Sequence, residues 1–197
     1  DGTMFNVDSF DNAGTVTFEG ANIDVGSAFI NQVTGLFDIT GNDVLATDSK
    51  LIANSLTNDG TIRIDQSSAG GENTNTLEVT IGGATTGVLT NNGLIEATDL
   101  NGTGGTRILE AELNNSGTLD IKNDFLLDGV LTDVDHSNTG VIKIEAGSTL
   151  TIGSGDGLTN NGEITGGGTL DVVAAGTFSN DGVLKAGDAG STGKLTI

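Results

Sequence analysis

The chain has 197 residues and a formal net charge of −20, because it carries 27 acidic and only 7 basic residues. It contains 32 glycines but no cysteine, proline, tryptophan or tyrosine. These figures exclude a disulfide framework, a thiolate metal site and a cysteine nucleophile, and they argue against nucleic acid or anionic membranes as partners. No apolar run is long enough to span a membrane, so we expect no membrane insertion by this segment.

One motif recurs along the chain: an apolar residue, any residue, Asn, any residue and Gly, followed by an alternating apolar strand. One copy, at residues 29–39, has two extra residues before its glycine. The seven intervals between the motif glycines average 24 residues. Apolar residues at alternate positions predict short, half-buried strands before and after each Asn-x-Gly turn. The motif asparagines are Asn12, Asn31, Asn58, Asn91, Asn115, Asn138, Asn160 and Asn180, and the glycines are Gly14, Gly35, Gly60, Gly93, Gly117, Gly140, Gly162 and Gly182.

A third short strand follows in several copies, for example Leu77-Glu-Val79, Leu150-Thr-Ile152 and Leu195-Thr-Ile197. One such repeat cannot bury its apolar face alone, whereas stacked repeats form a continuous core. We therefore predict an all-β fold, a parallel β-helix (solenoid) of about eight coils with three short strands per coil. Residues 1–197 are expected to form one domain. The absence of proline fits this fold, because every strand of a stack needs its N–H groups for pairing.

The repeated Asn and Gly positions suggest two structural roles. In stacked coils the asparagine amides would hydrogen-bond to one another as a ladder along the rod. The alternative is that they only form loops, but their recurrence at one phase favours the ladder. The glycines are predicted to adopt a positive φ at the turn, because the residue before them is often Asn or Asp, which tolerates the same region.

Three longer excursions, at residues 66–76, 98–107 and 187–193, share one phase of the repeat and are rich in Gly, Ser, Thr and Asn. We expect them to leave the rod on one side. Such loops are either binding elements or flexible decoration.

The sequence offers little for catalysis. Arg63, Lys122, Lys143 and Lys185 are predicted to form an outward stripe that pairs with acidic neighbours rather than a convergent cationic site. His136, the single histidine, occupies the Leu or Phe position of its repeat, so we expect a structural role. No nucleophile, phosphate-loop or metal motif occurs, and we predict a non-enzyme without catalytic or cofactor-binding residues. Most phenylalanines fall in the inward phase and are expected to fill the core: Phe10, Phe18, Phe29, Phe37, Phe125 and Phe178.

The repeat pattern also bears on two further ligands, calcium and ice. Calcium suits an acidic surface, but the Gly- and Asp-rich nonapeptide repeat that binds it is absent, so no cofactor is predicted and calcium remains the alternative. Ice binding would need threonine on every coil. The position after the motif glycine is instead broken by Leu36, Leu94 and Glu163.

The repeat from Asn160 to Val172, Asn-Asn-Gly-Glu-Ile followed by Gly-Thr-Leu-Asp-Val, resembles repeats in the right-handed β-helices of bacterial surface proteins. Autotransporter passenger domains and filamentous-haemagglutinin-like adhesins are the most similar. The resemblance implies a right-handed helix, secretion to the outer surface of a Gram-negative cell, and a structural or adhesive role in adhesion, biofilm or a surface layer. The implied partner is a host or bacterial surface ligand, either a glycan or another copy of the protein. The alternative is a carbohydrate-binding or lyase-like β-helix.

The chain begins and ends inside the repeat pattern, since Gly2-Thr-Met-Phe-Asn-Val7 aligns with the segment starting at Gly168. We expect it to be a fragment of a longer repeat protein. The alternative is a unit that stacks laterally or end to end with other copies, since open sheet edges favour pairing.

Overall fold

The computed structural model describes residues 4–41, 49–66, 75–81, 85–98, 107–129, 133–187 and 197. These residues contain strands and turns and no helix. The strands in chain order are β1 (Met4–Val7), β2 (Phe10–Asn12), β3 (Thr15–Glu19), β4 (Asn22–Asn31), β5 (Leu36–Gly41), β6 (Lys50–Asn58), β7 (Thr61–Gln66), β8 (Asn75–Ile81), β9 (Thr85–Thr86), β10 (Val88–Asn91), β11 (Leu94–Ala97), β12 (Arg107–Glu110), β13 (Glu112–Asn115), β14 (Thr118–Ile121), β15 (Phe125–Asp128), β16 (Asp135–Asn138), β17 (Val141–Ile144), β18 (Thr149–Ile152), β19 (Gly157–Asn160), β20 (Glu163–Gly166), β21 (Thr169–Val172), β22 (Thr177–Asn180) and β23 (Val183–Ala186).

The strands form a β-solenoid of stacked parallel strands. An 8-stranded sheet takes the strand after each motif glycine, in the order β3-β5-β7-β11-β14-β17-β20-β23. A 15-stranded sheet holds the strand before each asparagine and the third strand of each repeat. We call the strand that ends at the motif asparagine the leading strand. In β4 and β6 the third strand of one coil continues directly into the leading strand of the next, so that both form one long strand. The predicted all-β solenoid with three strand positions per coil is confirmed.

The stack comprises about six turns, slightly fewer than the eight coils predicted from the motif count. The last motif copy contributes only β22 and β23 to the described residues. Most of its predicted third strand, from Leu195, lies outside them, so the described part of this copy does not make up a whole turn. In the second motif copy, the third strand position is the start of β6, after residues 42–48, which are also outside the described ranges.

The core is a column of apolar side chains from alternate strand positions. Pairs such as Leu119 over Ile142 and Ile121 over Ile144 are in register on adjacent strands and fully buried. Burying a side chain of this size contributes about 1.5–3 kcal/mol, so each coil is stabilised by covering its neighbour. Of the predicted core phenylalanines, Phe29, Phe37 and Phe125 are fully buried, Phe10 and Phe178 are partly buried, and the Phe18 side chain lies outside the described set.

Candidate functional site

The motif asparagines form one column at the turn between the leading strand and the next strand of each coil. The Nδ2 atom of each donates to Oδ1 of the next, with N···O distances of 2.6–2.8 Å from Asn12 through Asn180. The first seven side chains are buried and Asn180 is exposed. The second Nδ2 hydrogen also reaches a carbonyl of the next coil, as from Asn91 to Thr118, at 3.1 Å.

The backbone of this turn is satisfied by the same stacking. The carbonyl of Asn115 accepts from the N–H groups of Thr139 and Gly140 in the next coil, at 2.8 and 3.1 Å. The carbonyl of Asn138 accepts in the same way from Asn161 and Gly162. Buried polar groups are costly unless they are paired, so this column lets a polar turn lie against the apolar core.

The reason predicted for the motif glycines is wrong. Positive φ values among the described glycines occur at Gly20, Gly147, Gly155, Gly166 and Gly187, and none of these is a motif position. From Gly35 onward the motif glycines are required by close approach instead. A Cβ atom on Gly117 would overlap the carbonyl oxygen of Gly93 and lie 2.6 Å from the carbonyl carbon of Asn92.

Three buried polar side chains each close a longer segment of the chain with a hydrogen bond between the two stretches of backbone that flank it. The Ser49 hydroxyl donates to the carbonyl of Thr40 at 2.6 Å, and Nε of Arg107 donates to the carbonyl of Thr98 at 2.8 Å. The amide of Asn75 donates in the same way to the carbonyl of residue 65. All three side chains are fully buried. Each joins the two ends of a segment whose interior lies outside the described residues.

These closures stack on one another. Arg107 pairs in register with Asn75, and Oδ1 of Asn75 accepts from the N–H of Ser49 at 3.3 Å. The flanks of the predicted excursions at 66–76 and 98–107 therefore lie at one corner of the solenoid, together with Thr40 and Ser49 on either side of residues 42–48. The predicted excursion at 187–193 lies outside the described residues beyond Gly187.

Charged residues form an ion-pair column on the outer face of the 8-stranded sheet. Nε of Arg63 lies 3.3 Å from Glu96 Oε2, and an Arg63 Nη atom lies 3.6 Å from Asp38. Lys143 Nζ lies 3.9 Å from Asp120. These residues face one another in register across adjacent strands. These charged side chains are paired with one another across adjacent strands and do not converge on a ligand.

The predicted cationic stripe needs one adjustment. Arg63, Lys143 and Lys185 occupy equivalent strand positions, whereas Lys122 lies one residue past the end of β14. From there its Nζ reaches Glu96 at 2.8 Å and Asp120 at 3.3 Å. Burial raises the pKa of Glu96, but Lys122 and Arg63 outweigh burial, so that pKa lies below its usual value.

Glu96→Gln is expected to lower the free energy of unfolding by about 1 kcal/mol, because ion pairs near the surface contribute about 0.2–1 kcal/mol each. The difference should shrink in 1 M salt, where screening is strong. Chemical denaturation at low and high salt measures both effects. Glu163→Gln is the matched control, since Glu163 has no ion pair among the described residues; an equal loss there would contradict this account.

A second charged column lies on the outer face of the third strands. Lys50 pairs with Glu78 and lies 3.9 Å from Glu110. Glu110 is in register with Glu78 on one side and Asp128 on the other. Burial, together with a hydrogen bond between the two glutamates, raises the pKa of Glu110.

The outer face of the leading strands is different, because one column along it carries no charge, although Glu112 and Asp135 also face outward at the first positions of β13 and β16. From the third motif copy onward its outward column consists of hydroxyl and amide side chains in register. The neighbouring column at the turn includes Asn92, Ser116, Thr139 and Asn161, which are exposed, and ends in an aspartate on each side, Asp59 and Asp181. We call this surface the neutral face. Its strand column is formed by Thr57, Thr90, Asn114, Ser137, Thr159 and Ser179.

His136 lies inside the solenoid, as its position in the repeat predicts, with a side chain 0% exposed. Its Nδ1 accepts from the N–H of Leu113 at 3.2 Å, and its Nε2 lies 3.8 Å from Oδ2 of Asp156. Asp156 is also buried and accepts from the N–H groups of Gly129 and Val134 at 2.8 and 3.0 Å. Burial and contact with Asp156 raise the pKa of Asp128. This cluster is engaged with backbone and is not open to a substrate.

Neither a metal site nor a membrane helix is found within the described ranges. No group of three or more His, Asp or Glu side chains there is arranged to hold a metal ion, so calcium stays an untested alternative. These ranges also contain no helix long and apolar enough to cross a membrane. A cavity of about 480 Å³ near the first strands is lined by Asn6, Val7, Asp8, Asp24 and Gly26.

The chain matches no family model, no curated protein and no solved structure.

Proposed function

We propose that this protein is a non-catalytic structural or adhesive rod segment of a secreted bacterial surface protein. The observation that carries the proposal is the stacking itself, in which almost every polar feature serves the next coil. The asparagine column, the glycine column and the ion pairs all join adjacent turns. A rod of this kind holds binding elements at a distance from the surface to which it is attached.

The described titratable residues favour a rod over an enzyme. Nδ1 of His136 is occupied by a backbone N–H, so the histidine is not free to act as a base. Arg63, Lys122 and Lys143 are held by carboxylates of neighbouring coils. A lyase would instead need cations that converge on a substrate carboxylate and a base within reach of its α-proton.

The proposal is tested by presenting the protein on beads to bacterial and host cells, and by incubating it with neutral and uronic-acid polysaccharides. We expect attachment of the beads without release of reducing ends or unsaturated sugars. Beads coated with the urea-unfolded protein are the control for nonspecific adhesion. Turnover of a polysaccharide, or attachment no better than that control, would contradict the proposal.

The neutral face favours one second candidate, carbohydrate binding without cleavage. Hydroxyl and amide groups offer both donors and acceptors, and a column without carboxylates has no strongly hydrated charge that a neutral glycan would have to desolvate. Asn114→Asp on this face should weaken retention on a neutral polysaccharide, and Thr118→Asp on the 8-stranded sheet should not. Equal retention of both variants would remove this candidate.

A further inference from the structure

His136 stands where other coils place a leucine or phenylalanine. Its strand β16 lies in register with β19, where the paired residue is Leu158. In place of an aliphatic side chain, the solenoid interior here receives an imidazole with two nitrogen atoms, and the ring is fully buried. A buried imidazole needs hydrogen-bond partners that leucine does not.

The imidazole ring takes part in the hydrogen bonding between the backbones of two coils. Its Nδ1 accepts the N–H of Leu113 on β13 at 3.2 Å, so a side chain replaces a backbone acceptor. The registered pairing of β13 with β16 covers only two residue pairs. The pairings of β10 with β13 and of β16 with β19 each cover four. The β13–β16 junction is therefore joined by a shorter backbone ladder than its neighbours.

The hydrogen bond to Leu113 also fixes the neutral form of the ring. Nδ1 must be unprotonated to accept, so Nε2 carries the hydrogen. Nε2 is buried, forms no hydrogen bond among the described atoms, and lies 3.8 Å from Asp156 Oδ2. A second proton would be placed on Nδ1, directly against the N–H of Leu113. Two donors would then face each other, and this hydrogen bond would be lost.

The acidic groups around the ring raise the pKa of His136 by less than burial lowers it. Asp156 lies before β19, Asp135 precedes His136 on its own strand, and Asp128 on β15 contacts Asp156. Glu112 on β13 is next to Leu113 and half-buried. Burial lowers the pKa of His136 to about 4, although Asp156 and Asp135 act to raise it.

We propose that His136 makes the β13–β16 junction an acid-sensitive seam, at which protonation of the imidazole opens the pairing of β13 with β16 while the other strand pairings stay in place. The proposal does not depend on the adhesive role. In the unfolded chain the histidine pKa is near 6.5, and in the folded protein it is lower. Above pH 6.5 the imidazole is therefore neutral in both states, and His136 contributes its full stabilisation of the folded protein. That stabilisation is lost as the pH falls from 6.5 through about 4.

Amide hydrogen exchange, normalised to intrinsic rates, tests the seam in the whole chain at pH 7 and at pH 4. We expect the protection of Leu113 and of residues 135–138 to fall at least tenfold more than that of β20 and β17. His136→Gln is the matched variant, because its side-chain carbonyl can accept from Leu113 but does not titrate. Its seam should keep the same protection at both pH values.

Imidazole ¹⁵N shifts of the unaltered protein provide a second readout that needs no variant. We expect an unprotonated Nδ1 at pH 7 and a transition well below the ordinary histidine pKa. A transition at the ordinary value with unchanged exchange at Leu113 would overturn the proposal. Equal loss of protection in all strands, or the same acid response in His136→Gln, would overturn it as well. If His136→Gln does not fold, the ¹⁵N transition and the exchange of Leu113 in the unaltered protein decide the question.

Discussion

Gly117→Ala is expected to lower the free energy of unfolding by about 3 kcal/mol or more, whereas Gly14→Ala should change it by less than about 0.5 kcal/mol. The two glycines occupy the same motif position in different coils. A Cβ atom on Gly117 would overlap the backbone of the coil beneath it, and backbone cannot rotate aside as a side chain can. At Gly14 the same atom would meet nothing within 4 Å.

Urea denaturation followed by circular dichroism measures this pair. Neither glycine has a positive φ, so the comparison isolates close approach from conformational strain. If Gly14→Ala were as destabilising as Gly117→Ala, the turn conformation and not the distance between coils would explain the glycine column.

Asn115→Ala is expected to cost about 2–4 kcal/mol, since leaving buried polar groups unpaired costs about 1–3 kcal/mol each. The substitution removes the acceptor of the Asn91 amide and the donor to Oδ1 of Asn138, both at 2.7 Å. It also removes a donor, at 3.2 Å, to the carbonyl of Val141. These partners are enclosed between coils, where water does not readily replace the lost amide.

Asn180→Ala is the matched control, because Asn180 is the exposed last member of the column and accepts a single ladder bond. It should cost about 1 kcal/mol or less. Urea denaturation midpoints compare the two variants directly, provided that the slope of the unfolding free energy against urea concentration is unchanged. Similar losses at Asn115 and Asn180 would indicate that these asparagines act as local turn formers and that the ladder adds little.

The repeat predicted the fold well because each coil interacts mainly with the next one. A strand that alternates Leu119 and Ile121 inward can be read from sequence without knowing its neighbour. The position of His136 inside the solenoid follows from the same phase. The reason for the glycines does not, because a distance between Gly117 and Gly93 depends on how closely the backbones of two coils approach.

The closures at Ser49, Asn75 and Arg107 were not predicted. Each joins two residues nine or ten positions apart, but the closing residue is of a different type each time, so no residue motif marks it. The one available signal is a polar residue at an inward position of a strand, as Arg107 is at the start of β12. In the sequence pattern, Arg107 marks only the end of the excursion at 98–107.

The asparagine column has a direction. From Asn12 to Asn180 every Nδ2–H points toward the later coil and every Oδ1 toward the earlier one. The side-chain amide dipoles therefore add along the axis, as peptide dipoles do in a helix, with the positive end at Asn180. Each amide also polarises the next. A further coil would extend this column only if its chain ran in the same direction. The amide dipoles therefore give the rod a polarity along its axis, in addition to the direction that the backbone of the two parallel sheets specifies.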